Sequence, residues 1–305
     1  MPFSRVPVAF RSRPKTRALV YALIALASAG VGAVAASCAR SATPHPGAPA
    51  ASGASAASGA SGATAAAGEF TGHGEWVKFP RDTTGAPTPD SVRAYVAYPE
   101  RNSLAPAVIV IHEIFGLTDW EPRVADRLAK AGYVAIVPDL LSSKYGTTPA
   151  SPDSGRKLVA TLEPERITTD LDATFAYLTR QPSIRKADIG TIGFCWGGGQ
   201  SFRYATNNPR LKAAVVCYGP APDSAALARI RAPVLGVYGE NDARIDAQLP
   251  EVERQMRASG KAFAYHSYPG TGHGFLKPGR QGSDGPQVQA AWDRILGFYR
   301  ETLGR

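Results

Sequence analysis

"IGTIGFCWGGG" spans residues 189–199. Its first six residues carry no charge and read as a strand buried on both faces. "GGGQSFRYATNN" (197–208) reads as the helix that follows. Between them lies G-x-C-x-G, with Gly193 and Gly197 each two places from Cys195. A strand-to-helix turn this sharp forces its central residue into a strained backbone conformation. Side chains two places before and after would collide, so both positions call for glycine. The strain lifts the central side chain above the sheet edge. The helix beneath it offers free N–H groups, which favour negative charge. This is the pattern of a nucleophile elbow, with Cys in the usual Ser place. Taken alone, the stretch has a second reading, a glycine-rich turn around a buried, inert cysteine.

Outward from the turn, the pattern is regular. "EWVKFP" and "VRAYVAYP" alternate, which predicts an antiparallel hairpin at one edge. "PAVIVIH" (106–112) and "YVAIVPDL" (133–140) are continuous apolar runs, typical of buried strands. Between them, 119–131 has helical spacing and ends at Gly132. A long helix is expected over about 164–180, with Ile167, Leu171, Phe175 and Leu178 on one face. "LKAAVVCYG" and "APVLGVYG" are strands, separated by a short helical piece near 223–229. "DAQLPEVERQMRAS" is a helix, "KAFAYHSYPG" a strand, and 285–303 a closing helix. Strands alternating with helices predict one α/β domain over 70–305, a mostly parallel sheet with helices on both faces.

A nucleophile at such a turn needs a base, and the base an orienting acid. The expected order is nucleophile, acid, histidine, each after a later strand. "VLGVYG" is followed by Glu240, Asn241 and Asp242, and "AYHSYPG" by Thr271, Gly272 and His273. Cys195, Asp242 and His273 therefore fit, each just past the carboxyl end of a strand, where open α/β sheets place their sites. Glu240 and Asp246 are the alternative acids. His45 and His73 lie in or near a low-complexity stretch, His112 precedes the elbow and His266 sits within a strand.

The start of the chain is of another kind. Residues 1–17 carry five basic side chains and no acid, then Ala18 to Ala27 is uncharged, and small residues lead to Cys38. Residues 1–37 read as an export signal. "AASC" resembles the lipobox of bacterial lipoproteins, with Ala35 in place of its usual leucine, so lipidation at Cys38 is expected. A plain secretory signal and an uncut membrane anchor are the alternatives, since Ala18–Ala36 is close to the length that spans a bilayer. Residues 38–69 are almost all Ala, Ser, Gly, Thr and Pro, a composition that cannot offset its ordering entropy, and read as a tether. The chain is expected to be exported, periplasmic or anchored to a membrane. Its net charge of +9 falls to +4 without the basic start, too weak and scattered for a nucleic-acid partner. No phosphate loop, nucleotide fingerprint or metal-ligand cluster stands out, so neither cofactor nor metal is expected. Cys217, in "AAVVCYG", reads as a small apolar residue of a buried strand.

"HEIFG" (112–116), "VPDLL" (137–141), "GFCWGG" (193–198), "GENDARI" (239–245) and "GTGHGF" (270–275) together carry a resemblance to the dienelactone hydrolase family of α/β-hydrolases, over about residues 74–304. The resemblance implies that Cys195 attacks an ester or lactone carbonyl, His273 takes the proton and Asp242 fixes the imidazole. It implies that Glu113 lies near the thiol and helps to gate its ionisation. The backbone N–H groups of Trp196 and Ile114 are the expected oxyanion donors. The resemblance also implies two arginines for a substrate carboxylate. Here Lys277 stands where one is expected and the other falls near Pro152. Lysine attracts a carboxylate as a point charge without the bidentate fork. Arg156 and Lys157 are the candidates to compensate. Trp196 and Tyr218 either line an apolar pocket or pack.

The expected protein is thus a monomeric carboxylic ester or lactone hydrolase acting on a small molecule through an acyl-enzyme. A thioesterase or peptidase would use the same site. A surface-anchored binding protein on a degenerate hydrolase scaffold is the reading from another class.

Overall fold

Each apolar run becomes a strand of one eight-stranded sheet. The computed structural model describes residues 74–81 and 90–304. The expected export signal, the tether and the lipidation at Cys38 lie outside the described residues. Among the described residues, no helix is long and apolar enough to cross a membrane.

The strands are β1 (Gly74–Pro80), β2 (Ser91–Ala97), β3 (Ala105–Ile111), β4 (Val134–Asp139), β5 (Ile184–Phe194), β6 (Ala213–Cys217), β7 (Val234–Gly239) and β8 (Phe263–Tyr268). Their order across the sheet is β1-β2-β4-β3-β5-β6-β7-β8. β1 pairs antiparallel with β2, as the alternating pattern predicts, and β2 pairs antiparallel with β4. All other neighbours are parallel. This is an α/β-hydrolase fold.

The core lies on both sides of the sheet, and strand periodicity divides it. In β3, Ala107, Ile109 and Ile111 face one apolar cluster while Val108 and Val110 face the other. The first cluster is closed by Ile167, Leu171 and Phe175 of α4 (Pro164–Arg180), Phe202 of α5 (Trp196–Asn207), and Val252 and Met256 of α8 (Leu249–Ala258). The second is closed by Val124 and Leu128 of α1 (Trp120–Lys130) and by Trp292, Ile295 and Tyr299 of α9 (Pro286–Thr302).

Local differences from the expected elements have local causes. β5 begins at Ile184, well before residue 189, through a register shift opposite Ala105–Ala107. The helix expected from "DAQLPEVERQMRAS" (246–259) is α8, which begins at Leu249 with Pro250 in its first turn, where a missing N–H costs nothing; a separate short helix, α7 (Ala243–Asp246), precedes it. The stretch between β4 and α4 also holds α2 (Ser142–Tyr145) and α3 (Pro152–Val159), which periodicity did not reveal. The remaining short helix is α6 (Ser224–Leu227).

Chain order reverses at the centre of the sheet. The crossover through α1 carries β4 to one side of β3, and the next crossover carries β5 to the other. Their carboxyl ends splay at this switch point, and the crevice there is the natural place for a site. Ile111 and Gly193 are paired at its floor.

Candidate active site

The turn after β5 has the strained geometry its glycines foretell. Cys195 sits at φ 56°, ψ −116°, outside the regions open to ordinary side chains. A Cβ on Gly193 would lie 1.9 Å from the Gly197 carbonyl oxygen, and one on Gly197 would lie 2.3 Å from the His112 oxygen. The backbone is tied across the sheet by the Cys195 N–H, which donates to the Cys217 carbonyl at 3.0 Å. The thiol is half-buried and free, whereas Cys217 is fully buried and free, its own thiol pushed well up by desolvation.

His273 and Asp242 meet above this turn. His273 Nδ1 lies 2.5 Å from the Asp242 carboxylate, which is 8% exposed. The His273 imidazole is pushed up to about 9, first by its hydrogen bond to Cys195, against the effect of burial, and then by Asp242. His273 is thus bonded to Asp242 and lies within the influence of the Cys195 thiol. Of the alternative acids, Glu240 accepts from the Gly270 N–H at 3.2 Å, and Asp246 has its carboxyl pushed up by burial and by the charge of Asp242. His112 is no base. Its Nε2 accepts from the Leu140 N–H at 3.3 Å, so its Nδ1 donates to the Glu113 carbonyl at 2.8 Å. Buried and bonded at both nitrogens, it stacks on the Trp196 indole, 5.4 Å between centroids.

Trp196 begins α5 and Ile114 follows β3. Among the described residues, neither N–H donates to another group. The amide at a helix start has no intrahelical acceptor, so both are available to an oxyanion.

The loop from His112 to Thr118 is held by a residue that sequence reasoning passed over. Glu121 is fully buried. One carboxylate oxygen accepts from the Glu113 N–H at 3.3 Å, and the other from the Thr118 N–H at 2.8 Å and its hydroxyl at 2.7 Å. These bonds bracket Ile114. A glutamate on the buried face of an amphipathic helix was the available signal, because a buried charge must find donors. Asp139 of "VPDLL" braces the next loop similarly, accepting from the Leu141 N–H and from both the N–H and hydroxyl of Thr148. Thr148 passes the contact on by accepting from the Leu117 N–H.

Two residues expected to contact substrate already have partners within the fold. Lys277 does not stand as a free cation. Its ammonium lies 2.7 Å from the Glu113 carboxylate, 5.2 Å from the Trp120 ring centroid and 6.0 Å from that of Phe115. Tyr218 does not line an open pocket. It is fully buried at φ 40°, packed edge-on to His273 at 5.2 Å and to Phe275 at 6.1 Å. Burial, then the charge of Glu113, pushes its phenol well up, so it stays protonated. Arg156 is exposed and paired with Asp153 at 3.5 Å, and Lys157 is exposed. Among the described residues, no three His, Cys, Asp or Glu side chains are grouped to hold a metal.

Comparison with known proteins gives the family. The model of the family described as "Dienelactone hydrolase family" matches residues 92–303. The "Putative carboxymethylenebutenolidase" of Methylorubrum extorquens is 33% identical over 223 residues, 69% of this chain and 77% of that one. The Yersinia pestis protein of the same name is 33% identical over 234 residues, 72% of this chain and 87% of that one. Among solved structures, a "Putative Dienelactone Hydrolase" from Klebsiella pneumoniae superposes with a TM-score of 0.63 at 27% identity, covering 74% of this chain and 98% of its own. A dienelactone hydrolase-like phosphotriesterase from metagenomic libraries shares the fold, with a TM-score of 0.65 at 22% identity over 76% of this chain and 98% of its own. This chain belongs to the dienelactone hydrolase family of α/β-hydrolases.

Proposed function

We propose that Cys195 attacks the carbonyl of a small carboxylic ester or lactone, with His273 as its base and Asp242 as the acid that orients the imidazole. Hydrolysis of carboxylic esters or lactones is the general activity of the family to which the chain belongs. The finer reading rests on one observation, the 2.5 Å bond from His273 Nδ1 to Asp242 at the strained turn that carries the free Cys195 thiol. A free thiol is only a few per cent thiolate at neutral pH, so an adjacent base is needed.

Attack forms a C–S bond and drives the carbonyl electrons onto oxygen. The N–H groups of Trp196 and Ile114 receive that charge. His273 returns its proton to the leaving alkoxide, and the acyl group stays on sulfur as a thioester. Water, deprotonated by His273, then displaces the thiol and releases the acid. Glu113, held by Lys277, sets part of the field in which the thiol ionises. The composition of residues 1–38 supports export, with lipidation of Cys38. Partition of the mature protein into a detergent phase tests that part, and an aqueous-phase protein would end it.

The decisive experiment is hydrolysis of a short-chain nitrophenyl ester and of a dienelactone by the full chain, beside Cys195→Ala. The substitution should abolish turnover while the protein stays folded. Iodoacetamide should label Cys195 ahead of Cys217. Turnover that survives Cys195→Ala, or labelling in the reverse order, would overturn the assignment.

A further inference from the structure

The antiparallel register of β1 and β2 sets Lys78 directly opposite Arg93. Like charges placed this way destabilise a strand pair. Both side chains line one pocket of about 240 Å³, together with Ser91, Asp90 and Lys144. The pocket lies at the carboxyl end of β4, where Arg93 is in register with Asp139. Cys195, Asp242 and His273 are not among its lining residues.

Most charges around the pocket are matched within the fold. Lys144 lies 3.0 Å from Glu163, and Asp90 lies 3.5 Å from Arg166. Asp139 accepts from the Leu141 N–H and from the N–H and hydroxyl of Thr148. Lys78 and Arg93 remain. Among the described residues, neither is paired with a carboxylate, so the pocket presents two uncompensated cations.

Arg93 is also fixed in orientation. Its guanidinium carbon sits 3.7 Å from the centroid of the Trp76 ring, and Nη1 donates to the Thr147 hydroxyl at 3.2 Å. Nε and Nη2 have no acceptor among the described residues, which leaves one edge of the fork free. That edge matches two oxygens of a single oxyanion. A carboxylate would balance one cation and leave the other. A phosphomonoester, at roughly −1.5 to −2 near neutral pH, balances both. Its binding also relieves the repulsion between the two strands.

We propose that this pocket binds a phosphomonoester, two of its oxygens on the free edge of Arg93 and a third on the Lys78 ammonium, with the Ser91 hydroxyl as a further donor. The site stands apart from the ester-hydrolase reading and does not depend on it.

The test titrates the full chain with glycerol phosphate at constant ionic strength, read by phosphorus NMR. Saturable binding is expected, and acetate, a monoanion competitor, should displace it only at ~10-fold or higher excess. Lys78→Gln, at an exposed position, should weaken binding at least ~10-fold, the usual worth of a charge-assisted bond. Arg93→Lys keeps the charge but removes the fork, and should weaken binding comparably. Cys195→Ala should bind as the wild type does. No saturable binding, equal competition by acetate, or an affinity unchanged in Lys78→Gln would overturn the proposal. So would loss of binding in Cys195→Ala, which would put the phosphate in the site already described. Flotation with phosphatidylcholine vesicles carrying phosphatidic acid, a lipid phosphomonoester, identifies the source. Capture that falls in Lys78→Gln assigns a lipid headgroup; binding of glycerol phosphate without such capture assigns a dissolved ligand.

Discussion

The ammonium of Lys277 rests 2.7 Å from the carboxylate of Glu113, joining the loop after His273 to the loop after β3 across 164 residues of chain. The partners are unequally buried, with side chains 21% and 5% exposed. That asymmetry governs what happens when either is removed.

Lys277→Met strands a desolvated carboxylate. Breaking a buried pair from one side costs roughly 3–5 kcal/mol, and the partial exposure of Lys277 places this case near the lower figure. Glu113→Gln leaves a lysine that can turn to water, so it should cost less. Urea denaturation of both variants and of the double variant measures the order. A larger loss for Glu113→Gln would show that the carboxylate is not the desolvated partner.

The pH dependence follows from His273. Its folded-state value, about 9, exceeds the ordinary 6.5. The stabilisation is therefore complete below about pH 6.5 and is lost as pH rises through about 9. The alkaline limb of kcat/KM should fall with an apparent value near 9, since the imidazolium must protonate the leaving group. Asp242→Asn removes one of the groups that raise it, so the limb should move down in pH, with a large drop in rate. A limb that stays near 9 in Asp242→Asn would dissociate Asp242 from His273.

Glu121 should act on rate through the oxyanion loop. Glu121→Gln keeps the size of the side chain but turns one acceptor into a donor against Thr118 or Glu113. With Ile114 displaced, kcat should fall by up to about 10²–10³, the usual loss for one oxyanion donor, while KM changes little. Amide hydrogen exchange should quicken at Glu113 and Thr118. A purely structural role would lower the melting temperature without this kcat–KM split.

Gly193→Ala should destabilise at the upper end of the ~1–3 kcal/mol typical of overpacking, because its clash is with backbone that cannot rotate aside. Thermal melts of Gly193→Ala beside Cys195→Ser would check this. The serine fits the same φ of 56° and should leave the melt nearly unchanged.

The sequence by itself determined the parts whose causes are local. Gly193 and Gly197 mark the elbow because sterics act over four residues. The unbroken apolar runs mark strands buried on both faces because burial requires it. The order Cys195, Asp242, His273 could be read because each follows a strand end, and strand ends are legible in pattern. Contacts made across the sheet were legible only after folding. Nothing in the spacing of "HEIFG" and Lys277 says that they meet; the switch point between β3 and β5, set by which way each crossover turns, brings them together. Tyr218 is apolar enough to pack and polar enough to bind, and only the fully enclosed volume beneath His273 decided for packing. Glu121 was passed over in the sequence, and its three donors, the Glu113 N–H and the N–H and hydroxyl of Thr118, were found only once the loop after β3 had closed over it.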